Sequence, residues 1–294
     1  MNRDSRLGAD HLAALSAVIE TGSFEAAAQR LFVTPSAVSQ RVKALEKRVG
    51  QVLVVREKPC RATAAGVPLL RMAAQTAMLE AEALAETGGE AAELTRVAIA
   101  VNADSMAAWF TAVLARLPGV LLDIRIEDQD HSARLLREGA VMGAVTTERA
   151  PVSGCRVQSL GVMRYVPVAS EDYATRHLQE GFTAESVMRA PALAWNRDDA
   201  LPDRLMRKAF RRVIAGPVHY VPTAEGFMAA LRAGLGWGMH PDQLVREDLA
   251  AGTLVRIADV HLDVPLFWQC WKLDSAMVRT VTDEVRSAAA TLAR

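Results

Sequence analysis

From Asp10 to Val49 apolar residues recur at three- and four-residue intervals in three short runs, the spacing of amphipathic helices. Leu12, Leu15, Val18 and Ile19 form the first stripe, on a helix that Asp10 is placed to cap and Thr21-Gly22 to stop. Ser23 caps a second helix with Phe24, Ala27, Ala28 and Leu31 inward and Glu25 and Gln29 outward. Thr34 caps a third, with Pro35 suited to the first helical position and Val38, Val42, Leu45 and Val49 inward. The period then changes. Val52 to Val55 reads as a strand, Glu57 to Pro59 as a turn and Arg61-Ala62 as the return, which together make a wing. From Thr63 to about Glu86 a helical period returns, with Leu69, Met72, Thr76, Leu79 and Ala83 on one stripe, widened by Leu70, Ala73, Ala77 and Leu84. Pro68 implies that this helix starts later than Thr63 or bends there. An isolated helix cannot bury such a face alone, so a partner helix is expected. Thr87-Gly88-Gly89-Glu90 is the natural hinge.

Beyond the hinge, strand and helix patterns alternate. Thr95 to Val101 predicts a strand, Ser105 to Leu117 a helix, "VLLDIRIED" a strand, "HSARLLREG" a helix and "VMGAVTT" a strand. A second such run extends from about Tyr165 to Val264, and "VPLFWQCW" returns as a strand before a last helix from Asp274. The fold class is therefore α/β, with parallel sheets flanked by helices. The expected domains are a winged helix-turn-helix over 1–62, a linker helix and hinge over 63–90, and a two-lobed domain over 91–294 resembling type 2 periplasmic binding proteins. Lobe I is read as about 91–162 plus 265–294, and lobe II as about 163–264.

Composition narrows the function. The 294 residues are 51% apolar and 23% charged, as in ordinary globular proteins. No apolar run approaches the ~20 residues of a membrane span. The polar start, Met1 to Ala9, has no signal-peptide core, so a cytoplasmic location without membrane attachment is expected. Cys60, Cys155 and Cys270 are scattered, and neither CxxC nor HExxH occurs, so no metal and no cofactor are expected. Net charge is zero, yet residues 1–62 hold ten Lys/Arg against six Asp/Glu. A basic segment on a neutral chain points to a polyanion partner for that segment.

The third helix bears Ser36, Ala37, Ser39, Gln40, Arg41 and Lys43 on its outward side, mostly near its N-terminus. Small residues there permit close approach to a major groove, and Gln or Arg can bond base edges. Thr34 and Pro35 at the helix start suit a phosphate. Arg56, Lys58 and Arg61 on the wing are placed for the DNA backbone or minor groove. These residues read as a double-stranded DNA interface. "FEAAAQRLFVTPSAVSQRVKALEKRVGQVLVVR…ATAAG" resembles the LysR-type transcriptional regulators, and the resemblance runs along the whole chain. It implies a linker-helix homodimer that pairs into a homotetramer, and RNA polymerase as a partner when the regulator activates.

Three strand ends give the effector chemistry: "NADS" (Asn102 to Ser105), "EDQDHS" (Glu127 to Ser132) and "TAEGF" (Thr223 to Phe227). They carry acids and no Arg, which suits a cation, while helix N-terminal amides near Ser105, Thr147 or Thr223 suit a carboxylate. Asp104 and Glu225 equally fit the plain role of first-turn acids. Within the family, "RIEDQDHSARLLREG" and "AEGFMAALRAGLGWGMHP" resemble the ArgP/LysG subfamily of basic amino acid export regulators. That implies L-lysine, L-arginine or L-histidine as effector. Glu127, then Asp128, would face the side-chain cation, and Asp104 or Glu225 the α-ammonium. Ser105, Thr147 and Thr223, beside Asn102 and Thr146, would meet the carboxylate. Trp109 and Trp195 would line the aliphatic stem. A regulator of this class sensing another metabolite remains open. An enzyme with an appended DNA-binding module finds no GxSxG, and Cys155 and Cys270 have no evident His partner. Gly234 to Gly238 reads as a turn before a strand, because Met239-His240-Pro241 follows instead of a helix start. A transport binding protein is opposed by the missing signal peptide and by the winged helix.

Overall fold

Helix α1 (Ala9–Thr21), α2 (Phe24–Arg30) and α3 (Pro35–Val49) pack around Leu15, Val18, Ala27, Val38, Val42 and Leu45, all buried. The structure is a computed structural model that describes residues 7–87, 95–127 and 132–293. Two of the three expected caps form. Ser23 accepts the Ala26 N–H at 3.1 Å and Thr34 the Ala37 N–H at 3.2 Å, with Pro35 in the first turn. Asp10 does not cap α1; Gly8 holds that position and Asp10 sits in the first turn, where its charge still complements the helix dipole. Gly22 and Gly50 end α1 and α3 in the left-handed conformation. The wing is shorter than expected: β1 (Val54–Val55) pairs antiparallel with β2 (Arg61–Ala62). Glu46 on α3 accepts the Leu53 N–H at 3.0 Å, which ties the third helix to the wing.

Helix α4 runs Val67–Glu86. It starts after Thr63, whose Oγ instead accepts the Gly66 N–H in a turn, so Pro68 falls harmlessly in the first turn. Leu69, Leu70 and Ala73 join the winged-helix core, whereas Met72 and Leu79 are exposed. Of the hinge, Thr87 closes α4, and 88–90 lie outside the described residues.

The chain divides into two compact units. Unit 1 holds the winged helix, α4 and residues 117–157 and 268–283. In it, β3 (Thr95–Val101) pairs in parallel with β4 (Val120–Ile126) and with β5 (Gly143–Thr146), and β5 neighbours the C-terminal end of β11 (Leu262–Trp271). Helix α7 (Ser132–Arg137) lies between β4 and β5 in sequence, and α13 (Ala276–Ala288) starts in this unit. Trp268 is fully buried and its Nε1 donates to Thr282 at 3.1 Å.

Unit 2 holds 102–116, 158–267 and 284 onward. The expected helix from Ser105 forms as one continuous run with a π-helical bulge inside it: α5 (Ala103–Ser105), the π-helical turn (Met106–Phe110) and α6 (Thr111–Leu114). The strand at Tyr165 is the end of a much longer one, β6 (Cys155–Ser170). Then follow α8 (Glu171–His177), α9 (Ala184–Arg189), β7 (Ala192–Ala194), α10 (Leu201–Phe210), β8 (Val218–Tyr220), α11 (Ala224–Arg232), β9 (Trp237–Pro241), α12 (Asp242–Ala251) and β10 (Leu254–Arg256). The order is β11-β6-β9-β7-β8, with β10 on β6. Pairings β9-β7 and β7-β8 are parallel, and β6 meets β9 antiparallel. Its core gathers Val166, Val168, Leu193, Phe227, Leu231, Val245 and Leu254. As expected, Gly234, with φ +69, turns the chain into β9.

Candidate DNA interface and effector site

The outward side of α3 is open. Thr34, Pro35, Ser36, Gln40 and Lys43 are exposed, and Ala37, Ser39 and Arg41 are half-buried. Arg41 is not free: its Nη2 lies 3.3 Å from Asp10 Oδ2 on α1. On the wing, Lys58 is exposed, while the Arg56 guanidinium sits 5.0 Å over the Phe24 ring and 3.9 Å from Glu46. Both arginines are thus pre-positioned by weak surface pairs that a phosphate can replace. Phe32 adopts φ +53 and is 96% exposed at the turn between α2 and α3. That helix-end position normally takes Gly or Asn, so a fully exposed phenyl ring there is unusual.

In unit 2, Asn102 caps α5 by accepting the Ser105 N–H at 3.2 Å. Asp104 accepts the Tyr165 hydroxyl at 2.7 Å. Burial pushes the Asp104 carboxyl up to about 6; the Tyr165 bond opposes this, and the charge of Asp199 adds to it. Asp199 is itself fixed, accepting the Trp195 N–H and the Leu201 N–H, each at 3.0 Å, at the start of α10. Ser105 Oγ and Trp109 Nε1 are buried without a hydrogen-bond partner among the described residues. Trp195 is half-buried. Thr223 spends its hydroxyl capping α11, accepting from the Gly226 N–H at 3.1 Å, and Glu225 is exposed in that first turn.

In unit 1, Glu127 follows β4, and its N–H donates to Val101 at 3.2 Å; its side chain is half-buried. Asp128 lies outside the described residues. Thr146 ends β5 buried, its Oγ taking a bond from Gln269 Nε2 at 3.3 Å, and Thr147 is half-buried. Tyr165, Asp199 and Gln269 escaped the sequence reading. Only Asp199 carried a signal, as an acid just before the Leu201-Pro202 helix start. Among the described residues no cluster of His, Cys, Asp and Glu could hold a metal, and no helix is long and apolar enough to cross a membrane.

Residues 9–67 match the model of the bacterial regulatory helix-turn-helix protein, lysR family, and residues 90–290 match the LysR substrate binding domain. The chain is 68% identical over 292 residues to the HTH-type transcriptional regulator LysG of Mycobacterium tuberculosis, covering 99% of this chain and 96% of that one. It is 42% identical over 279 residues to the lysine export transcriptional regulatory protein LysG of Corynebacterium glutamicum, covering 94% and 95%. Among solved structures, ArgP from Mycobacterium tuberculosis superposes with a TM-score of 0.92 at 68% identity over 97% of this chain and 98% of that one. Full-length LysG from Corynebacterium glutamicum with bound effector Arg gives 0.81 at 39% identity over 98% and 100%. Two domain models in the right order and near-complete coverage by these relatives leave one assignment: the chain is a transcriptional regulator and belongs to the LysR family.

Proposed function

We propose that this regulator senses a basic amino acid, L-lysine or L-arginine and by extension L-histidine, and controls the gene of a basic amino acid exporter. One observation carries the reading. Asp104 is a carboxylate with only part of its surface open to solvent, bonded to Tyr165 and pushed up to about 6 by burial, with Asp199 adding to the negative potential. A buried acid short of a counter-charge is stabilised by an incoming ammonium or guanidinium. The likeness to a LysG whose structure holds arginine supports the same chemistry. Within unit 2, Asp104 and Asp199 would take a cationic end of the effector; Glu127, at the end of β4 in unit 1, is proposed on its own account as an acid for a cation. Ser105, whose buried hydroxyl has no hydrogen-bond partner among the described residues, would meet the carboxylate.

The partners follow from that role: double-stranded DNA under α3 and the wing, a second copy through the exposed Met72–Leu79 side of α4, a tetramer of such pairs, and RNA polymerase at the promoter. The protein works in the cytoplasm and catalyses nothing; effector binding changes DNA geometry. Titration calorimetry of the intact chain with each of the twenty amino acids tests the reading. Heat from lysine and arginine, and none from aspartate or leucine, is the expected result. Glu127→Gln lowers lysine affinity about tenfold, the size of one charge-assisted hydrogen bond, and leaves DNA binding unchanged. Equal lysine affinity in that variant removes Glu127 from the site, and a chain that binds no basic amino acid removes the effector class.

A further inference from the structure

One buried amide organises the segment that follows β5. Gln269 on β11 is fully buried, and every hydrogen-bonding atom of its side chain is used. Its Oε1 accepts the Val152 N–H at 2.8 Å. The two N–H groups of its Nε2 donate to the Glu148 carbonyl at 2.9 Å and the Ala150 carbonyl at 3.1 Å, with Thr146 Oγ at 3.3 Å sharing one of them; Thr146 Oγ in turn donates to the Glu148 carbonyl at 3.3 Å. A single side chain therefore sews the 148–152 loop to the end of β5. The next residue reaches the linker helix: Arg71 Nη1 on α4 donates to the Ser153 carbonyl at 2.7 Å. Backbone contact reinforces that junction. At Gly139, φ +70, a Cβ would stand 2.5 Å from Arg71 Cα, so only glycine lets the turn after α7 lie against α4.

The loop is fixed along its edges but not packed solid. A cavity of about 340 Å³ opens beside it, lined by Arg71, Arg137, Glu148 and the 150–153 backbone. A second hold lies further along α4. Glu82 Oε1 accepts the Ser275 hydroxyl at 2.6 Å and the Met277 N–H at 2.8 Å, at the start of α13. At 1.5 Å per residue it sits about 16 Å along the helix from Arg71. At its other end, α4 packs through Leu69, Leu70 and Ala73 into the winged-helix core. So α4 is a rod, rooted in the DNA-binding module and gripped by the effector domain at two points. One of those grips is bonded through to Thr146, beside the Thr147 of the effector reading.

We infer that Gln269 and Arg71 are positioning residues: through the 148–153 strap they couple occupancy at the end of β5 to the setting of α4, and so to DNA. The inference rests on the basic amino acid reading above. Neither side chain has to touch effector or DNA. A displacement of Thr146 is passed to the loop by the shared amide, and to α4 by the Arg71 bond, into the space the cavity leaves. Buried polar groups cannot give up such bonds singly without cost, so loop and amide shift together.

The test is linkage. Effector and DNA alter each other's affinity by one common factor, ~5–150-fold for ordinary allostery. Lysine affinity is measured by calorimetry with and without a duplex that the protein has enriched from a random pool. Arg71→Met keeps the aliphatic packing and removes the donor; Arg71→Lys restores a donor. The expected result is that Arg71→Met keeps wild-type affinity for lysine alone and for DNA alone while the linkage factor falls to within about twofold of one, and that Arg71→Lys recovers it. A merely structural role would instead lower both affinities or the melting temperature. Hydrogen exchange gives the second readout: lysine changes the protection of the Val152 amide in the wild type, and in Arg71→Met that change no longer spreads to α4. Wild-type linkage in Arg71→Met overturns the strap and leaves the effector reading intact. A wild type that binds lysine and DNA without linkage does the same. No heat from any basic amino acid overturns both.

Discussion

Asp104 and His240 titrate in opposite senses within the same unit. Asp104, raised from 3.8 to about 6, holds its proton longer when folded, so the stability it contributes is present at low pH and is lost as pH rises through about 6. His240 is lowered from 6.5 to about 4, first by burial; the nearby Asp248 charge opposes and Arg232 assists. Its unfolded form takes up a proton first, so its contribution is complete above 6.5 and is lost as pH falls toward 4. Between about pH 4 and 6 the two slopes oppose each other. Asp104→Asn leaves the His240 slope alone. Its melting midpoint is expected to climb more steeply with pH over that window than the wild type's, and to lie above the wild type at pH 7.5 in the absence of effector. Differential scanning fluorimetry from pH 4 to 8 decides it, and an Asn variant less stable at pH 7.5 contradicts a desolvated Asp104 charge. The sequence made Asp104 visible because it follows a strand and opens a helix. Tyr165, 61 residues away, was invisible, because which side chain a strand turns toward a distant acid is set by sheet register and not by local pattern.

The helices of the winged module were readable almost to the residue, because cap, proline and apolar stripe all lie within one local stretch. Pro68 left a later start or a bend open for α4, and the structure takes the later start, at Val67. Two elements were not readable. The π-helical turn at Met106–Phe110 lies in the nearly unbroken apolar run "MAAWF", which offers no period to depart from. Strand β6 extends ten residues before Tyr165, through Gly161 at φ +127, where loss of alternation masks a strand that bends. Helix α4 shows the reverse case, a pattern that only partly finds its partner within the chain. Ala73 and Met78 are buried while Met72, Leu79 and Leu84 are 42%, 40% and 63% exposed. On the homodimer reading a second copy covers them. Leu79→Glu removes about 2 kcal/mol of burial per protomer and adds a charge that must be desolvated. Multi-angle light scattering is then expected to show the variant shifting to the mass of a single chain, with unchanged circular dichroism. A variant that keeps the wild-type mass places the interface elsewhere.

At the scale of the whole molecule, the charge arithmetic separates recognition from sensing. The first 62 residues carry a surplus of four positive charges and the remainder an equal negative surplus, so the chain is neutral and its DNA affinity has to come from one module. That module does not offer its cations equally. Lys43 and Lys58 are exposed, whereas Arg41 is paired with Asp10 and Arg56 is shared between Glu46 and Phe24. A free lysine that neutralises one phosphate releases its counterion in full, giving ~0.9 in the slope of log affinity against log salt. An arginine that must first leave a carboxylate gives part of that back, because the abandoned acid gathers cations of its own. Fluorescence anisotropy with a bound duplex between 50 and 200 mM salt, concentrations over which phosphate contacts are read, is therefore expected to rank the variants. Lys43→Ala and Lys58→Ala each flatten the slope by about 0.9, while Arg56→Ala flattens it less and also loosens the wing through the loss of its Phe24 and Glu46 contacts. Equal slopes in the wild type and in Lys58→Ala, Arg56→Ala and Arg61→Ala take the wing off the DNA. The recognition helix would then have to supply the whole electrostatic term from Lys43, Arg41 and its own N-terminal amides.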